Sequence, residues 1–217
     1  LGRGPGRMSA PTAAFITFEG PEGCGKTTQA RRLAAALEAA GRPVRLTREP
    51  GGTPIAEQVR AVLLHPDNAA MLAETEVLLY LAARAQHTAE VIRPALAAGM
   101  MVLCDRYTDS TLAYQGHGRG LPLADLQRMD AFATGGLRPD LTVVLDVPVT
   151  VGLARKRGDE WNRIEAQAVA FHERVRAGYH ALIEREPARY LVCDGQRPAE
   201  ALADDILAAV TRRWSLP

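Results

Sequence analysis

The chain has 217 residues, 47% of them hydrophobic, which is enough to bury one substantial core and short for two ordinary domains. Its 26 basic and 25 acidic residues leave a formal charge of +1, so no overall field draws it toward nucleic acid or an anionic membrane, and anion chemistry must be local. Cys24, Cys104 and Cys193 form no CxxC pair and no zinc spacing, which points to a reducing compartment, the cytoplasm; uncharged stretches such as 94–104 stop well short of the ~18 apolar residues of a membrane helix.

In chain order, residues 1–13 read as a flexible leader, with Met8 an alternative start, ahead of one domain over 14–217. Runs rich in Val, Ile, Leu and Phe at 14–19, 43–47, 100–105, 141–146 and 189–193 predict five buried parallel strands. A helix over Thr27 to Ala40 places Leu33 and Leu37 one turn apart and ends at Gly41, which suits a left-handed cap. The next has Thr53 as N-cap and Pro54 at its first position, with Ile55, Val59, Val62 and Leu63 on one face. A long pattern from Glu74 to Ala98 carries Leu78, Leu81, Ala82 and Ala85 on a stripe, and Pro94 should bend or break it before Gly99 closes it. Further helical patterns start near Val149, run from Ala166 to Glu186, and run from Pro198 to Arg213. Strands alternating with helices give an α/β fold of three α/β/α layers around a five-stranded parallel sheet, in which ligands bind beyond the carboxyl ends of the strands.

Gly20-Pro21-Glu22-Gly23-Cys24-Gly25-Lys26-Thr27 fits GxxxxGKT between the first strand and first helix. Such a loop folds backbone amides around phosphate oxygens at a helix N-terminus. Lys26 would reach the outer phosphates of ATP, Thr27 would coordinate Mg2+, and Gly20, Gly23, Cys24, Gly25 and Thr28 would complete the cradle. Only Lys26 and Lys156 are lysines among the 26 basic residues, so a lysine here breaks the chain's own habit. Cys24 reads as a small residue that fits a tight loop. Glu22 is electrostatically costly beside polyphosphate unless it has a positive partner or a hydroxyl to accept, and so suggests contact with something other than ATP.

Arg48 and Arg106 each follow a strand. Either alone reads as an ion-pair partner; together, aimed at a crevice where the P-loop already holds ATP, they imply a second anionic ligand such as a phosphomonoester. Asp105 and Asp146 both end apolar runs as a magnesium-binding aspartate does, and Arg106 beside Asp105 favours Asp105. Asp146 is then a structural partner to loop amides.

These residues resemble the bacterial thymidylate kinases from about Phe15 to Val210: the P-loop, TREPGGT at 47–53, AAR at 82–84, DRY at 105–107, STLAYQGHGRG at 110–120 and LRPDLTVVLDV at 137–147. The resemblance implies transfer of the ATP γ-phosphate to dTMP, with magnesium, in a homodimer. It gives Arg48 and Arg106 the dTMP phosphate and Glu22 the sugar 3′-hydroxyl. Tyr80 falls where relatives usually stack a phenylalanine on thymine, and Arg84 where an arginine meets the base carbonyl. Thr111 and Gln115 match base-contacting positions, and Tyr114 matches the ring that crowds the 2′ position. His117 replaces a residue commonly glycine in relatives, reads as a solvent-facing loop residue, and receives no role.

A basic segment at about 154–165 reads generically as a solvated turn, but phosphoryl transfer needs cations around the transferred group and a lid that removes water. The P-loop has no arginine at its variable positions, and relatives lacking one supply it from this lid, so Arg155, Arg157 and Arg163 are unranked candidates. Adenylate, guanylate and nucleoside kinases share the P-loop logic and remain alternatives. A guanine-nucleotide switch would need an NKxD loop and a transporter ATPase an LSGGQ signature; the sequence has neither.

Overall fold

The computed structural model describes residues 13–156 and 162–216. Residues 1–12 of the leader expected over 1–13, and the lid candidate Arg157, therefore lie outside the described residues. The sheet is all-parallel in the order β2-β3-β1-β4-β5, with β1 at Ala14–Glu19, β2 at Val44–Arg48, β3 at Met101–Asp105, β4 at Leu141–Asp146 and β5 at Tyr190–Asp194. All five lie within a residue of the sequence expectation. The central strands β1, β3 and β4 are buried almost throughout, and the edge strand β2 leaves Arg45 and Arg48 exposed. That is why the central runs read as continuous apolar stretches. Register aligns Phe18 and Arg48 with Asp105 from either side, so the loops after β1, β2 and β3 open on one edge beside the central strand β1.

Helix α1 (Lys26–Ala39) turns Ala30, Leu33, Ala34 and Leu37 onto one sheet face, where they share a core with Phe18, Leu103, Leu145 and the α9 (Ala199–Trp214) residues Leu202, Ile206 and Val210. A fully buried leucine such as Leu37 contributes about 2 kcal/mol relative to an exposed one. The opposite face of the sheet buries Phe15, Val102 and Tyr107 against Ile92 and Ala95, which completes the third layer.

In α2 (Pro54–Leu64), Thr53 caps the N-terminus by accepting from the Ala56 amide at 3.2 Å, as expected. Of the expected bend or break at Pro94, the break does not occur. Helix α3 (Ala73–His87) continues through a π-helical turn at Thr88–Ile92 into α4 (Arg93–Ala97). The widened π-helical turn just before Pro94 accommodates its ring and its missing N–H within the continuous run. The expected apolar stripes are corrected in part: Leu63 and Leu81 face inward as expected, joined by Ala56 and Val77, but Ile55, Val62 and Leu78 are 53%, 47% and 57% exposed. Between β3 and β4, where no individual helix was placed from the sequence, the chain forms α5 (Thr108–Thr111), a π-helical segment at Leu112–Gly118 and α6 (Leu123–Thr134). Gly116, Gly118 and Gly120 mask this helical pattern in the sequence. Helices α7 (Val149–Arg155) and α8 (Val169–Arg185) follow β4, with α8 beginning three residues later than expected.

Candidate active site

The loop after β1 is shaped by what its glycines permit. Gly23 has a left-handed φ of 67°, and a Cβ there would lie 2.0 Å from the Gly152 carbonyl oxygen of α7. Reciprocally, a Cβ on Gly152 would lie 2.1 Å from the Glu22 carbonyl oxygen, so the loop and α7 touch only because both positions lack side chains. Gly25, also left-handed, caps α1 without a side-chain bond and leaves the helix-terminal amides to another partner. Lys26 folds back over the loop, donating to the carbonyls of Pro21 at 2.8 Å and Gly20 at 3.2 Å. The Thr27 hydroxyl donates to the Asp105 carboxylate across the gap between α1 and β3.

One cavity of ≈ 470 Å³ runs from this loop to the ends of β2 and β3. Gly23, Gly25, Lys26, Thr27, Thr28, Arg155 and Asp105 line its phosphate end; Glu22, Arg48, Tyr80, Arg84, Arg106, Thr111, Tyr114 and Gln115 line the rest. Cys24 is buried behind the loop, with its sulfur 3.4 Å from the Lys26 nitrogen.

Arg106 holds a left-handed φ of 71°, which costs a non-glycine residue of order 1–3 kcal/mol and is sustained here by its amide bond to the Phe18 carbonyl at 2.9 Å. Its Nη2 donates to Glu22 Oε1 at 2.6 Å and to the Tyr114 hydroxyl at 3.0 Å, and Tyr114 donates to the same Glu22 oxygen at 2.8 Å. Glu22 thus has both of the partners its cost demanded. Burial alone would raise its pKa, but Arg106 and Lys26 outweigh burial and bring it down to about 2. Arg48 donates to the Pro50 carbonyl at 2.9 Å and to Glu57 at 3.0 Å from a half-exposed position.

Deeper in the cavity, Arg84 is buried and donates to Glu49 at 2.7 Å, Asp130 at 2.8 Å and the Thr111 hydroxyl at 3.0 Å. Burial opposes its charge, but the two carboxylates hold its pKa well above the ordinary guanidinium value. Gln115 donates to Glu76 at 2.8 Å. Burial, reinforced by Glu76, pushes the Tyr80 hydroxyl up to about 12, so it stays a neutral donor at any working pH.

The lid candidates separate. Arg155 donates to the Gly195 carbonyl at 2.9 Å and reaches the Gly23 carbonyl at 3.4 Å, beside the phosphate loop. Arg163 is buried away from the cavity, ion-paired to Glu76 at 2.6 Å and donating to the Leu63 carbonyl at 3.0 Å. Asp146 does not bind loop amides through its side chain: Arg176 grips it with two 2.7 Å bonds, and His180 lies at 3.1 Å, because α8 brings both residues over the end of β4. Asp105, beside Thr27, is then the aspartate left on the cavity. His117 is half-buried against Gly178 of α8 rather than solvent-facing.

Several residues here carry little sequence signal. Arg60 enters the cavity from α2 and donates to the Pro50 carbonyl at 2.8 Å; burial and the neighbouring Arg48 lower its pKa. Buried Glu19 and Tyr179 and half-buried Ser110, which lines the cavity, form a cluster around Arg106. A carboxylate ending a buried strand was a readable hint for Glu19, whereas Tyr179 looks like any core residue of a helix. Among the described residues no group of three or more His, Cys, Asp and Glu forms an ion cage. The adjacent Thr27 and Asp105 oxygens suit a hard cation that keeps phosphate and water ligands.

A strand–GxxxxGKT–helix cradle sharing one cavity with converging arginines defines a P-loop phosphotransferase of the nucleotide-kinase class. The family profile described as Thymidylate kinase matches residues 18–206. The chain belongs to the thymidylate kinase family. It is 54% identical over 210 residues to the Thymidylate kinase of Geobacter sulfurreducens, covering 92% of this chain and 99% of that one. It is 55% identical over 199 residues to that of Thermomicrobium roseum, covering 91% and 94%, and 55% identical over 194 residues to that of Pseudomonas putida, covering 88% and 92%. Among the described residues no helix is long and apolar enough to cross a membrane.

Proposed function

We infer that this chain transfers the γ-phosphate of ATP to dTMP, giving dTDP and ADP. The observation that carries the reading is the two-ended cavity, with a P-loop and the Thr27–Asp105 pair at one end and Glu22, Arg48, Arg60 and Arg106 lining the other. The bond between the γ-phosphorus and its bridging oxygen breaks as an oxygen of the dTMP phosphate bonds to that phosphorus. The acceptor oxygen is already nucleophilic, so the protein's work is alignment and charge neutralisation.

Lys26 exchanges its two carbonyl partners for the outer phosphates, whose negative charge is the stronger acceptor. Thr27 and Asp105 would hold Mg2+, which when bound neutralises phosphate charge. Arg106 and Arg48 hold the acceptor phosphate, and Glu22, kept ionised, accepts from the sugar hydroxyl. Tyr80 stacks on thymine, with its hydroxyl turned to polar neighbours or water, and Arg84, Thr111 and Gln115 meet the base edge. Tyr114 crowds the sugar's 2′ side. Arg155, at the phosphate end, is the first choice to complete the site from the lid over 154–165, with Arg157 second. Arg163 serves the reaction only if it leaves Glu76.

The chain acts as a cytoplasmic homodimer in this reading. The support for a second copy is apolar exposure on three helices packed side by side: Ile55 and Val62 on α2, Leu78 on α3, and Phe132, 92% exposed, on α6. Buried, unbridged thiols support a reducing location. The test is ADP release with ATP and magnesium across dTMP, dUMP, UMP, AMP, GMP and thymidine, beside a Lys26→Ala variant. Turnover with dTMP dominates if the reading is right; a faster acceptor elsewhere in the panel overturns it.

A further inference from the structure

Beneath the acceptor end of the cavity lies a carboxylate that no step above uses. Glu19, the last residue of β1, is fully buried and does not line the cavity. Its Oε1 accepts from the Tyr107 amide at 2.7 Å, and its Oε2 accepts from the Ser110 hydroxyl at 2.6 Å and the Tyr179 hydroxyl at 2.9 Å. Each of those hydroxyls has one proton and gives it to Glu19. Their lone pairs are therefore left for the Arg106 Nη1, which donates to Ser110 at 3.1 Å and to Tyr179 at 3.3 Å.

We propose that Glu19 is a positioning residue for phosphoryl transfer: by claiming the protons of Ser110 and Tyr179 it makes both hydroxyls acceptors for Arg106 and so presents that arginine to the acceptor phosphate in one orientation. This rests on the dTMP kinase reading above. Glu22 and Tyr114 hold the other guanidinium nitrogen, so without Glu19 the Nη1 side keeps one fixed acceptor, the Gly20 carbonyl at 3.2 Å.

Protonation reverses the relay. A neutral Glu19 donates through Oε2 to one hydroxyl, and the displaced hydroxyl proton turns to the other hydroxyl, 3.0 Å away, where it competes with Arg106 for that oxygen's lone pairs. The surroundings set where this happens. Burial and the Asp109 carboxylate of α5 push Glu19 up to about 7, against the pull of Arg106, Ser110 and the Tyr107 amide. The other ionisable groups around it are Cys104 of β3 and Tyr179 of α8, with Tyr190 of β5 beyond them, and Arg189 grips Asp109 from the far side at 2.8 Å.

The test is steady-state turnover of dTMP by the full chain from pH 5.5 to 9, for wild type, Glu19→Gln, and the double variant Ser110→Ala/Tyr179→Phe. The glutamine keeps the shape but donates to both hydroxyls, mimicking the protonated acid at every pH. Both variants are expected to lose about 10²-fold in kcat, the cost of a slightly misplaced catalytic group, and Glu19→Gln should keep KM for ATP within about twofold because Glu19 does not line the cavity. Wild-type kcat should fall as pH drops through about 7, and both variants should lack that limb, keeping only the acceptor phosphate's own ionisation near about 6. The pH limb separates positioning from a merely structural role, and the double variant carries the test if Glu19→Gln does not fold. Wild-type kcat with an unmoved acid limb in either folded variant overturns the inference. A wild type inert toward dTMP overturns the kinase reading and this inference with it; an active wild type with unaffected variants overturns this inference alone.

Discussion

Replacing Arg84 by methionine tests whether the floor of the cavity is held by charge. Methionine roughly preserves the volume and removes the cation. Glu49 and Asp130, with side chains only 3% and 10% exposed, would then face each other across a site without its compensating charge. Glu49 keeps His87 at 2.9 Å, and Asp130 keeps the Thr108 hydroxyl at 2.9 Å, so neither is left wholly without a partner. Breaking a buried pair costs about 3–5 kcal/mol, and losing the guanidinium over the Tyr107 ring, 5.0 Å away, adds about 0.5–1 kcal/mol. At about 2–4 °C per kcal/mol for a chain of this size, Tm should fall by about 7–24 °C. The assay is thermal and urea unfolding at pH 8 and pH 5.5. Desolvated carboxylates without a cation are neutralised by proton uptake, which the unfolded chain does not need, so the variant's deficit should shrink as pH falls. A deficit below about 1 kcal/mol at pH 8, or one indifferent to pH, would show that Arg84 is held by packing and not by its carboxylates.

Three further outcomes follow from the geometry. Lys26→Ala should lower kcat by about 10²–10³-fold while far-UV circular dichroism stays at the wild-type level, since Lys26 bonds only within its own loop; turnover within a few-fold of wild type would remove it from the mechanism. Gly152→Ala should drive a Cβ to 2.1 Å from the Glu22 carbonyl oxygen, weakening ATP binding measured by calorimetry and costing about 1–3 kcal/mol of stability; unchanged affinity would mean that α7 does not shape the loop. Glu22, lowered from 4.5 to about 2, contributes stability that is present above its unfolded pKa and lost as pH falls through about 2. Glu22→Gln should therefore cost about 3 kcal/mol at pH 7 and flatten acid unfolding between those values; an unchanged acid transition would count against the Arg106–Glu22 pair.

The strands and the phosphate loop were legible because each rests on a local rule. A parallel strand buried on both faces must read as an apolar run, as β4 does over Leu141–Asp146, and GxxxxGKT is a backbone shape written in side chains. The segment between β3 and β4 was not legible, because its helical turns are π-helical at Leu112–Gly118 and interrupted by glycines. Gly116 and Gly118 are required by neighbours far along the chain: a Cβ on Gly116 would lie 2.4 Å from Leu123, and one on Gly118 would lie 2.7 Å from Phe171. The apolar stripe of α2 misled for a related reason. Period alone cannot say which face meets the core, and Ile55 and Val62 point outward.

The site shows the same boundary between local and tertiary information. Sequence position brought Arg48, Arg106 and Glu22 to one sheet edge, but it could not distinguish the two glutamates flanking the loop start. Glu19 and Glu22 are three residues apart and are shifted in opposite directions, the first up to about 7 and the second down to about 2. Glu22 has Arg106 at 2.6 Å and Lys26 nearby, so opposite charge outweighs its burial. Glu19 has hydroxyl and amide donors in place of an ion pair, with Asp109 as a close like charge, so desolvation wins. The decisive partners, Tyr179 from α8 and Asp109 from α5, are separated from Glu19 by 160 and 90 positions and enter through packing alone. One arginine, Arg106, touches both systems, and the left-handed turn that places it there is the point where sheet geometry becomes chemistry.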